Sequence, residues 1–241
     1  MINNPKSAYL HIPFCHRRCF YCDFAVVPLG DNARADKTPA SPSIDAYLKL
    51  LHSEIDLGTE GCPLSTVYIG GGTPSLLTPL QINSLLEHLR KRFGFQSGVE
   101  ITLEVDPASF DRSSLEQFLD IGINRLSLGG QSFDDELLLK IGRIHTREQL
   151  IETCDWMDEM FKKGKLLTWS LDLIQNLPGH ELGLWHSQLK QALDTSAPHF
   201  SIYDLTIEPG TVFDWKIKRG DITLPKDDLA ADISRSTSEI L

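Results

Sequence analysis

The sequence predicts an α/β fold built on parallel strands, and three observations support this class. Six short apolar runs are separated by stretches with helical spacing. Several of the runs are apolar at consecutive positions, as strands buried on both faces are. The chain has 241 residues, 41% of them hydrophobic, which is enough for one large core. A doubly wound sheet and an open barrel both satisfy this pattern, and periodicity does not choose between them.

The six predicted strands follow one another along the whole chain. The first is SAYLHI at residues 7–12. The others are STVYIG (65–70), VEITLEV (99–105), INRLSL (123–128), LLTWSLDLI (166–174) and HFSIYDL (199–205). Because parallel neighbours need a long crossover connection, a helix is expected between successive strands.

Apolar residues at i, i+3 and i+4 indicate these helices. The helix over 82–93 has the clearest beginning, with Thr78 as N-cap, Pro79 at the first helical position and Gln81 three residues after the cap. Residues 28–43, rich in Pro, Ala, Asp and Ser, predict a mobile loop. Helices are also predicted at 44–55, 115–119, 150–157, 184–193 and 226–241.

Composition excludes several classes of protein. A net charge of −10 argues against a nucleic-acid partner. No apolar run approaches the roughly 20 residues that span a bilayer, and the N-terminus lacks the pattern of a secretory signal. Three of the five cysteines lie within eight positions, which indicates a metal or redox site in a reduced compartment and predicts a cytoplasmic protein. The remaining two, Cys62 and Cys154, are expected to be packing residues.

The cysteine cluster, HIPFCHRRCFYCDF at 11–24, directly follows the first strand. Cys15, Cys19 and Cys22 have the spacing C-x-x-x-C-x-x-C. Thiolates bind zinc or iron–sulfur clusters. A closed zinc site needs a fourth ligand, for which His11 and His16 are candidates. A four-iron cluster held by three cysteines leaves one iron open to another ligand, and the spacing favours this interpretation while zinc stays an alternative.

Polar or glycine-rich motifs follow the later strands, and ligands of parallel α/β folds bind at the carboxyl ends of strands. Glycines allow a ligand to approach the backbone, carboxylates can hold an ammonium group or ribose hydroxyls, and an arginine can bind a carboxylate through two hydrogen bonds. Each motif alone also fits a turn, a cap or a surface ion pair, but their shared placement predicts one ligand site. The residues are Gly70, Gly71, Gly72, Thr73, Pro74, Glu104, Asp106, Gln131, Ser132, Arg143, His145 and Asp172.

These motifs resemble those of a known family. YLHIPFCHRRCFYCDF, VYIGGGTPSLL, EITLEVDP, GINRLSLGGQSF, IGRIHT, SLDLIQNLPG and SIYDLTIEPGT are similar to the radical S-adenosylmethionine (SAM) enzymes related to oxygen-independent coproporphyrinogen III oxidase. The resemblance extends from Tyr9 to Thr211. It implies a partial (β/α)₆ barrel as the radical SAM core at 1–215. It also implies that 216–241 is the start of a C-terminal region that is truncated in mid-helix.

The resemblance also implies the cofactors. Cys15, Cys19 and Cys22 would hold a [4Fe–4S] cluster whose open iron is chelated by S-adenosylmethionine, and the reduced cluster would cleave the sulfonium to a 5′-deoxyadenosyl radical. By motif position, the residues that contact S-adenosylmethionine fall into four groups. Tyr9 and Tyr21 would lie beside the cluster, and Gly71, Gly72 and Thr73 would contact the methionine end. Glu104, Arg143 and Asp172 would bind the methionine, carboxylate or ribose portions. Gln131 and Thr206 would contact a second molecule.

Two departures refine the expected function. The oxidases carry a further cysteine in a C-x-C arrangement, whereas Cys22 is followed here by Asp23 and Phe24, and the oxidases have an N-terminal extension before the first strand. Both departures resemble the HemW branch of haem chaperones, which bind haem and pass it to acceptor proteins. We therefore expect a HemW-like haem chaperone with a reductant for its cluster and a homodimer as one expected state.

The alternatives are an oxygen-independent coproporphyrinogen III oxidase and a zinc-stabilised binding domain. The resemblance also implies a His-containing motif linked to haem binding in the C-terminal region, which would follow residue 241.

Overall fold

The computed structural model describes residues 5–30, 42–58 and 61–241, and its centre is one six-stranded parallel sheet. The spatial order is β1 (Ser7–Ile12), β4 (Leu64–Gly71), β5 (Phe95–Val105), β6 (Arg125–Gln131), β7 (Thr168–Gln175) and β8 (His199–Asp204). Every neighbouring pair is parallel. A doubly wound sheet reverses its strand order at a switch point, whereas this order follows the chain, as in a partial (β/α)₆ barrel. The predicted fold class is confirmed.

Helices connect the strands as predicted, and α2 begins with the predicted capping box. Thr78 Oγ1 accepts a hydrogen bond from the Gln81 backbone N–H at 3.2 Å, and Gln81 Oε1 accepts one from the Thr78 N–H at 2.9 Å. The helices are α1 (Pro42–Leu57), α2 (Pro79–Phe93), α3 (Arg112–Asp120), α4 (Asp135–Lys140), α5 (Arg147–Lys162), α6 (Leu182–Asp194), α7 (Val212–Lys218) and α8 (Asp227–Ile240). The sequence did not predict α4, α7 or a 3₁₀ turn at Pro74–Leu76.

The two faces of the sheet have opposite character. On the outer face, side chains such as Ile69, Leu103 and Leu171 are buried against the helices and form the main hydrophobic core. Because side chains alternate along a strand, the residues between them point to the inner face. There the same strands carry Tyr68, Glu104, Ser127, Ser170 and Asp172. A closed barrel fills its interior with branched apolar side chains. The inner face of this sheet is polar instead, which suits the binding of polar ligands.

The cysteine loop and the C-terminal residues both pack against the barrel. The cysteine loop contains a two-stranded parallel ladder of β2 (Phe14–Cys15) and β3 (Val27–Pro28). From α8, Ile233 enters the main core, and Thr237 Oγ1 accepts a hydrogen bond from Trp185 Nε1 at 2.8 Å. The predicted division after residue 215 falls within α7, and it stays a prediction.

Three smaller expectations have separate outcomes. Most of the predicted loop at 28–43, namely residues 31–41, lies outside the described residues. Cys154 is buried in the core as predicted, and Cys62 is half-buried. Within the described ranges, none of the helices combines the length and the apolar character that crossing a membrane requires.

Candidate functional site

The cysteine loop is held by backbone hydrogen bonds to segments that are distant in sequence. The N–H of Phe20 donates to the Ile141 carbonyl at 2.9 Å, and the Phe20 carbonyl accepts from the N–H of Phe213 at 2.9 Å. The Phe20 ring lies 6.5 Å from that of Phe213. These bonds fix the loop between α4 and α7. Its three thiols, all half-buried, line a cavity of about 380 Å³ at the carboxyl end of the sheet.

The glycine run at the end of β4 lies directly beside Cys15, and its backbone is too close to neighbours for side chains. A Cβ at Gly72 would lie 2.7 Å from the Phe14 carbonyl oxygen and 2.9 Å from Cys15 Sγ. Gly71 has a φ of +120°, and a Cβ there would lie 2.7 Å from the His11 ring. Thr73 donates its N–H to the Phe14 carbonyl at 2.7 Å. The glycine run is therefore packed closely against the cysteine loop and His11, and the approach of a ligand to this backbone stays a prediction.

Glu104, at the end of β5, is fixed by two donors. The N–H of Gly71 donates to Oε2 at 2.9 Å, and the hydroxyl of Tyr68 donates to Oε1 at 2.8 Å. Burial raises the pKa of Glu104 above its ordinary value, although both hydrogen bonds act in the opposite direction. The carboxylate is thus held at the cavity wall with lone pairs left for an ammonium group or a hydroxyl.

Arg143 and Asp106 form a buried ion pair behind the cysteine loop, with side-chain exposures of 11% and 15%. Arg143 also donates to the Gly129 carbonyl at 2.7 Å, and its Nη1 lies 3.8 Å from Cys19 Sγ. Burial would raise the pKa of Asp106, but the adjacent guanidinium outweighs it and holds that pKa below its ordinary value. Arg143 is therefore a permanent cation beside the Cys19 thiol, which is predicted to bind the cluster.

The ends of β6 and β7 bring two further predicted residues to the cavity. Ser127 donates to Asp172 Oδ2 at 2.8 Å, and burial raises the pKa of Asp172. Gln131 has a φ of +64° at a register shift in the β6–β7 pairing, which turns its side chain into the cavity. Strained backbone of this kind is characteristic of ligand sites.

Several buried polar atoms around the cavity have no protein partner. They include Gln131 Oε1, Arg143 Nε and Asp172 Oδ1, all on residues that line the cavity. Such atoms cost free energy unless something satisfies them. The cavity volume also falls in the range of small-molecule sites, about 300–1,000 Å³. The lining therefore suits a ligand of this size that carries several polar groups.

The structure brings most of the predicted site residues together, whereas Tyr9, Gly70, Ser132 and His145 do not line the cavity. Ser132 and His145 instead make hydrogen bonds to Gln188 and to the Gly130 carbonyl. The three cysteines, Tyr21, Gly71, Gly72, Thr73, Glu104, Gln131, Arg143, Asp172 and Thr206 all line the cavity. Tyr9 does not line it. Its hydroxyl lies 3.1 Å from His11 Nδ1, and its ring packs against that of Tyr68 at 6.0 Å. Tyr9 therefore contacts the site only through Tyr68, which hydrogen-bonds to Glu104.

A buried network behind the cavity was not predicted. Gln188 of α6 accepts hydrogen bonds through Oε1 from the Ser132 hydroxyl at 2.8 Å and the Phe133 N–H at 3.1 Å. Its Nε2 faces His180 Nε2 at 3.2 Å. The network joins the loop after β6 to the loop after β7. A single sequence offers no signal for it, because a helical glutamine is ordinarily exposed.

The thiols suit metal ligation more than free chemistry. Burial raises the pKa of Cys15 to about 11 and also raises the pKa of Cys22, so these thiols are protonated at neutral pH without a metal. Metal binding would displace the protons. Within the described ranges, no three His, Cys, Asp or Glu side chains converge tightly enough for one metal ion. The three thiols line one cavity, and a polynuclear cluster takes its cysteines on different iron atoms.

A partial barrel with three cysteines and an adjoining polar cavity at its carboxyl end defines a cluster-binding class of protein. The family model of the radical SAM superfamily matches residues 9–180. The chain belongs to the radical SAM superfamily. Membership implies a [4Fe–4S] cluster and S-adenosylmethionine, and the cavity lined by the three cysteines fits both.

Curated proteins named haem chaperone HemW are similar to nearly the whole chain. The chain is 38% identical over 237 residues to the haem chaperone HemW of Synechocystis sp., covering 98% of this chain and 56% of that protein. It is 33% identical to the haem chaperone HemW of Escherichia coli, covering 98% of the chain and 59% of the relative. The chain thus spans less than two thirds of these curated relatives.

A solved structure has a similar fold over nearly the whole chain. The coproporphyrinogen III oxidase HemN of Escherichia coli, described as a radical SAM enzyme, superposes with a TM-score of 0.83 at 30% identity. The match covers 98% of this chain and 52% of that one. The predicted resemblance to both groups is confirmed.

Proposed function

We propose that this chain is the cluster- and S-adenosylmethionine-binding part of a HemW-like haem chaperone that transfers haem to an acceptor protein. The observation that carries the proposal is the similarity to proteins named haem chaperone HemW along 98% of the chain. Residue 24 adds support. Where the oxidases are expected to carry a further cysteine, Phe24 lines the cavity with 59% of its side chain exposed. An exposed aromatic ring at the mouth of a cavity suits a flat apolar macrocycle.

In this proposal, Cys15, Cys19 and Cys22 hold a [4Fe–4S] cluster, which supplies an electron and an open iron for S-adenosylmethionine. The backbone of Gly71 and Gly72 and the Glu104 carboxylate bind the methionine end. Glu104 is suited to the ammonium group because its two protein donors hold it in place. Tyr21 closes the cavity beside Cys19.

The remaining residues orient the ligand in the same proposal. Arg143, the buried cation, would bind the methionine carboxylate through the edge that carries its unpartnered Nε. Asp172, which is held by Ser127, has a free Oδ1 for a ribose hydroxyl. Gln131 and Thr206 also line the cavity and would contact a second molecule. Tyr9 would act indirectly, through Tyr68.

A haem titration of the anaerobically reconstituted chain tests the proposal, with and without S-adenosylmethionine. We expect a Soret band that saturates with haem, and weaker binding by Phe24→Ala. Leu80→Ala is the matched control, because Leu80 is an exposed apolar side chain on α2, away from the cavity. Transfer of haem to an added acceptor protein would complete the test. Absence of saturable haem binding by the wild-type chain would contradict the proposal.

The structural similarity to HemN favours a second candidate, an oxygen-independent coproporphyrinogen III oxidase. Anaerobic turnover of coproporphyrinogen III with S-adenosylmethionine and a reductant separates the two functions. Product formation would support the oxidase and contradict a chaperone-only function. The chaperone proposal includes a cellular electron donor that reduces the cluster. It also includes a homodimer, which sedimentation velocity would test.

A further inference from the structure

The inner face of the barrel is open on one side. β1 and β8 are the two edges of the six-stranded sheet. Each edge carries a tyrosine that faces the interior. Tyr9 of β1 packs against Tyr68 and is 57% exposed, while Tyr203 of β8 lines the cavity and is 56% exposed. Exposed aromatic rings on both edges flank a lateral opening into the polar interior.

Arg125, the first residue of β6, lies on the wall opposite this opening. Its register partner on β5 is Thr102, and Arg125 Nη1 donates to Thr102 Oγ1 at 3.3 Å. Ser127, two residues further along β6, points to the same face and lines the cavity. Arg125 therefore lies in the interior, one layer below the cavity that contains the cysteines.

The guanidinium of Arg125 has no carboxylate partner among the described residues. The Thr102 hydroxyl is its one side-chain hydrogen-bond partner there, and no ion pair within 4.0 Å involves it. A half-buried cation without a counter-charge is unusual, because burial of a charge costs free energy unless the charge is paired. The position therefore suits an anionic group supplied by a ligand.

The two interior carboxylates nearest the cavity have partners of their own. Glu104 accepts from Gly71 and Tyr68, and Asp172 accepts from Ser127. Asp172 feels the charge of Arg125, yet it lies beyond ion-pair distance. Arg125 thus has free donors facing the interior, and a planar guanidinium with free donors matches a carboxylate.

We propose that Arg125 is a carboxylate-binding subsite that anchors a propionate group of haem, which enters laterally between Tyr9 and Tyr203. The subsite rests on the proposed haem-binding function and gives a role to Arg125, which lies in the motif GINRLSLGGQSF but has no role among those that the resemblance implies. A propionate that reaches inward to Arg125 leaves the macrocycle at the lateral opening beside Tyr203, which lines the cavity together with Phe24. The propionate supplies the missing counter-charge, and the tyrosine rings contact the edges of the macrocycle.

The test compares haem with haem dimethyl ester, in which both carboxylates are masked. Titrations followed at the Soret band use the wild-type chain, Arg125→Gln and the control Arg90→Gln. Arg90 is an exposed arginine of α2 that pairs with Glu87 on the helical layer. We expect Arg125→Gln to weaken haem binding by about tenfold or more, as expected for one charge-assisted hydrogen-bonded pair. The ester should bind both chains equally, and Arg90→Gln should behave as wild type.

The outcomes separate this inference from the proposed function. Tight haem binding that Arg125→Gln leaves unchanged would overturn the subsite and leave the haem-binding function intact. An equal loss for haem and for the ester would also overturn it, because it would show a structural effect of the substitution. If the wild-type chain binds neither ligand, the proposed function and the subsite both fail.

Discussion

Asp106 and Arg143 form a buried ion pair directly behind Cys19, and the same guanidinium points its Nη1 at the Cys19 sulfur. One carboxylate thus fixes the cation that stands next to a cluster ligand. The pair also links the end of β5 to the segment after α4. Its position explains why a substitution at Asp106, which binds no cofactor in our proposal, should disturb the site.

Asp106→Asn should lower the free energy of unfolding by about 3 kcal/mol, because it leaves a buried cation without its counter-charge. Urea denaturation of the cluster-free chain measures this value. The control is Asp232→Asn, which removes one partner of an exposed pair with Arg235, and it should cost no more than about 0.5 kcal/mol. Equal effects of the two substitutions would show that the buried pair contributes nothing special.

Gly72→Ala should displace the cysteine loop, because the added Cβ would meet the Phe14 carbonyl and Cys15 Sγ at less than 3.0 Å. We expect reduced iron incorporation and a loss of about 2 kcal/mol in the free energy of unfolding. Gly183→Ala is the matched control. It lies in α6 with no atom within 4 Å of the added Cβ, so it should be neutral or stabilising. Full iron incorporation by Gly72→Ala would refute the close-approach argument.

Cys19→Ala should abolish cluster assembly and leave the barrel folded, because Cys19 lies in a loop outside the apolar core. Iron and sulfide assays after anaerobic reconstitution, with far-ultraviolet circular dichroism, provide the readouts. Cys62→Ala serves as the control, since Cys62 is half-buried away from the cavity. A Cys19→Ala chain that retains full iron and sulfide would sink the three-cysteine assignment.

The free energy of unfolding should fall on acidification, because the buried His180 side chain becomes protonated. Burial lowers the pKa of His180 to about 4, and protonation would set an N–H of the ring against the Gln188 amide. The unfolded side chain has a pKa near 6.5, so the stabilisation is complete above that value. It is lost as the pH falls from about 6.5 to about 4, by up to about 3 kcal/mol. Urea titrations across this range provide the measurement.

His145 acts with the same sign, since burial also lowers its pKa to about 4. The comparison of wild type with His180→Gln therefore isolates His180. We expect the variant to show a flatter dependence of unfolding free energy on pH between 6.5 and 4. A variant with the full wild-type slope would show that His180 does not contribute.

Much of the fold was predictable because strong local patterns specify it. The capping box at Thr78 was recognised from three residues, and all six strands of the main sheet were located from apolar runs. The elements that the sequence did not predict are short. Helices α4 and α7 have six and seven residues, too few to be stable alone, and contacts such as Phe213 against Phe20 stabilise them.

Of the site, the sequence predicted mainly the residues that follow or end the parallel strands. Glu104, Arg143 and Asp172 were expected near one another because parallel strands end at one edge. The partners of Glu104 and Asp172 were not predicted, since Tyr68 and Ser127 look like ordinary strand residues. The left-handed backbone of Asn176, with a φ of +60°, matches the tolerance of Asn for that conformation. Arg125 lies in the motif GINRLSLGGQSF, but nothing in the sequence singles it out, and its missing counter-charge is visible only in the structure.

The central claim is that Cys15, Cys19 and Cys22 hold a cluster with an open iron for S-adenosylmethionine. The most direct measurement is the visible spectrum of the chain purified and reconstituted anaerobically, with iron, sulfide and zinc assays on the same sample. Our account predicts a brown protein with about four irons and four sulfides per chain. A colourless protein with one bound zinc and no acid-labile sulfide would contradict it.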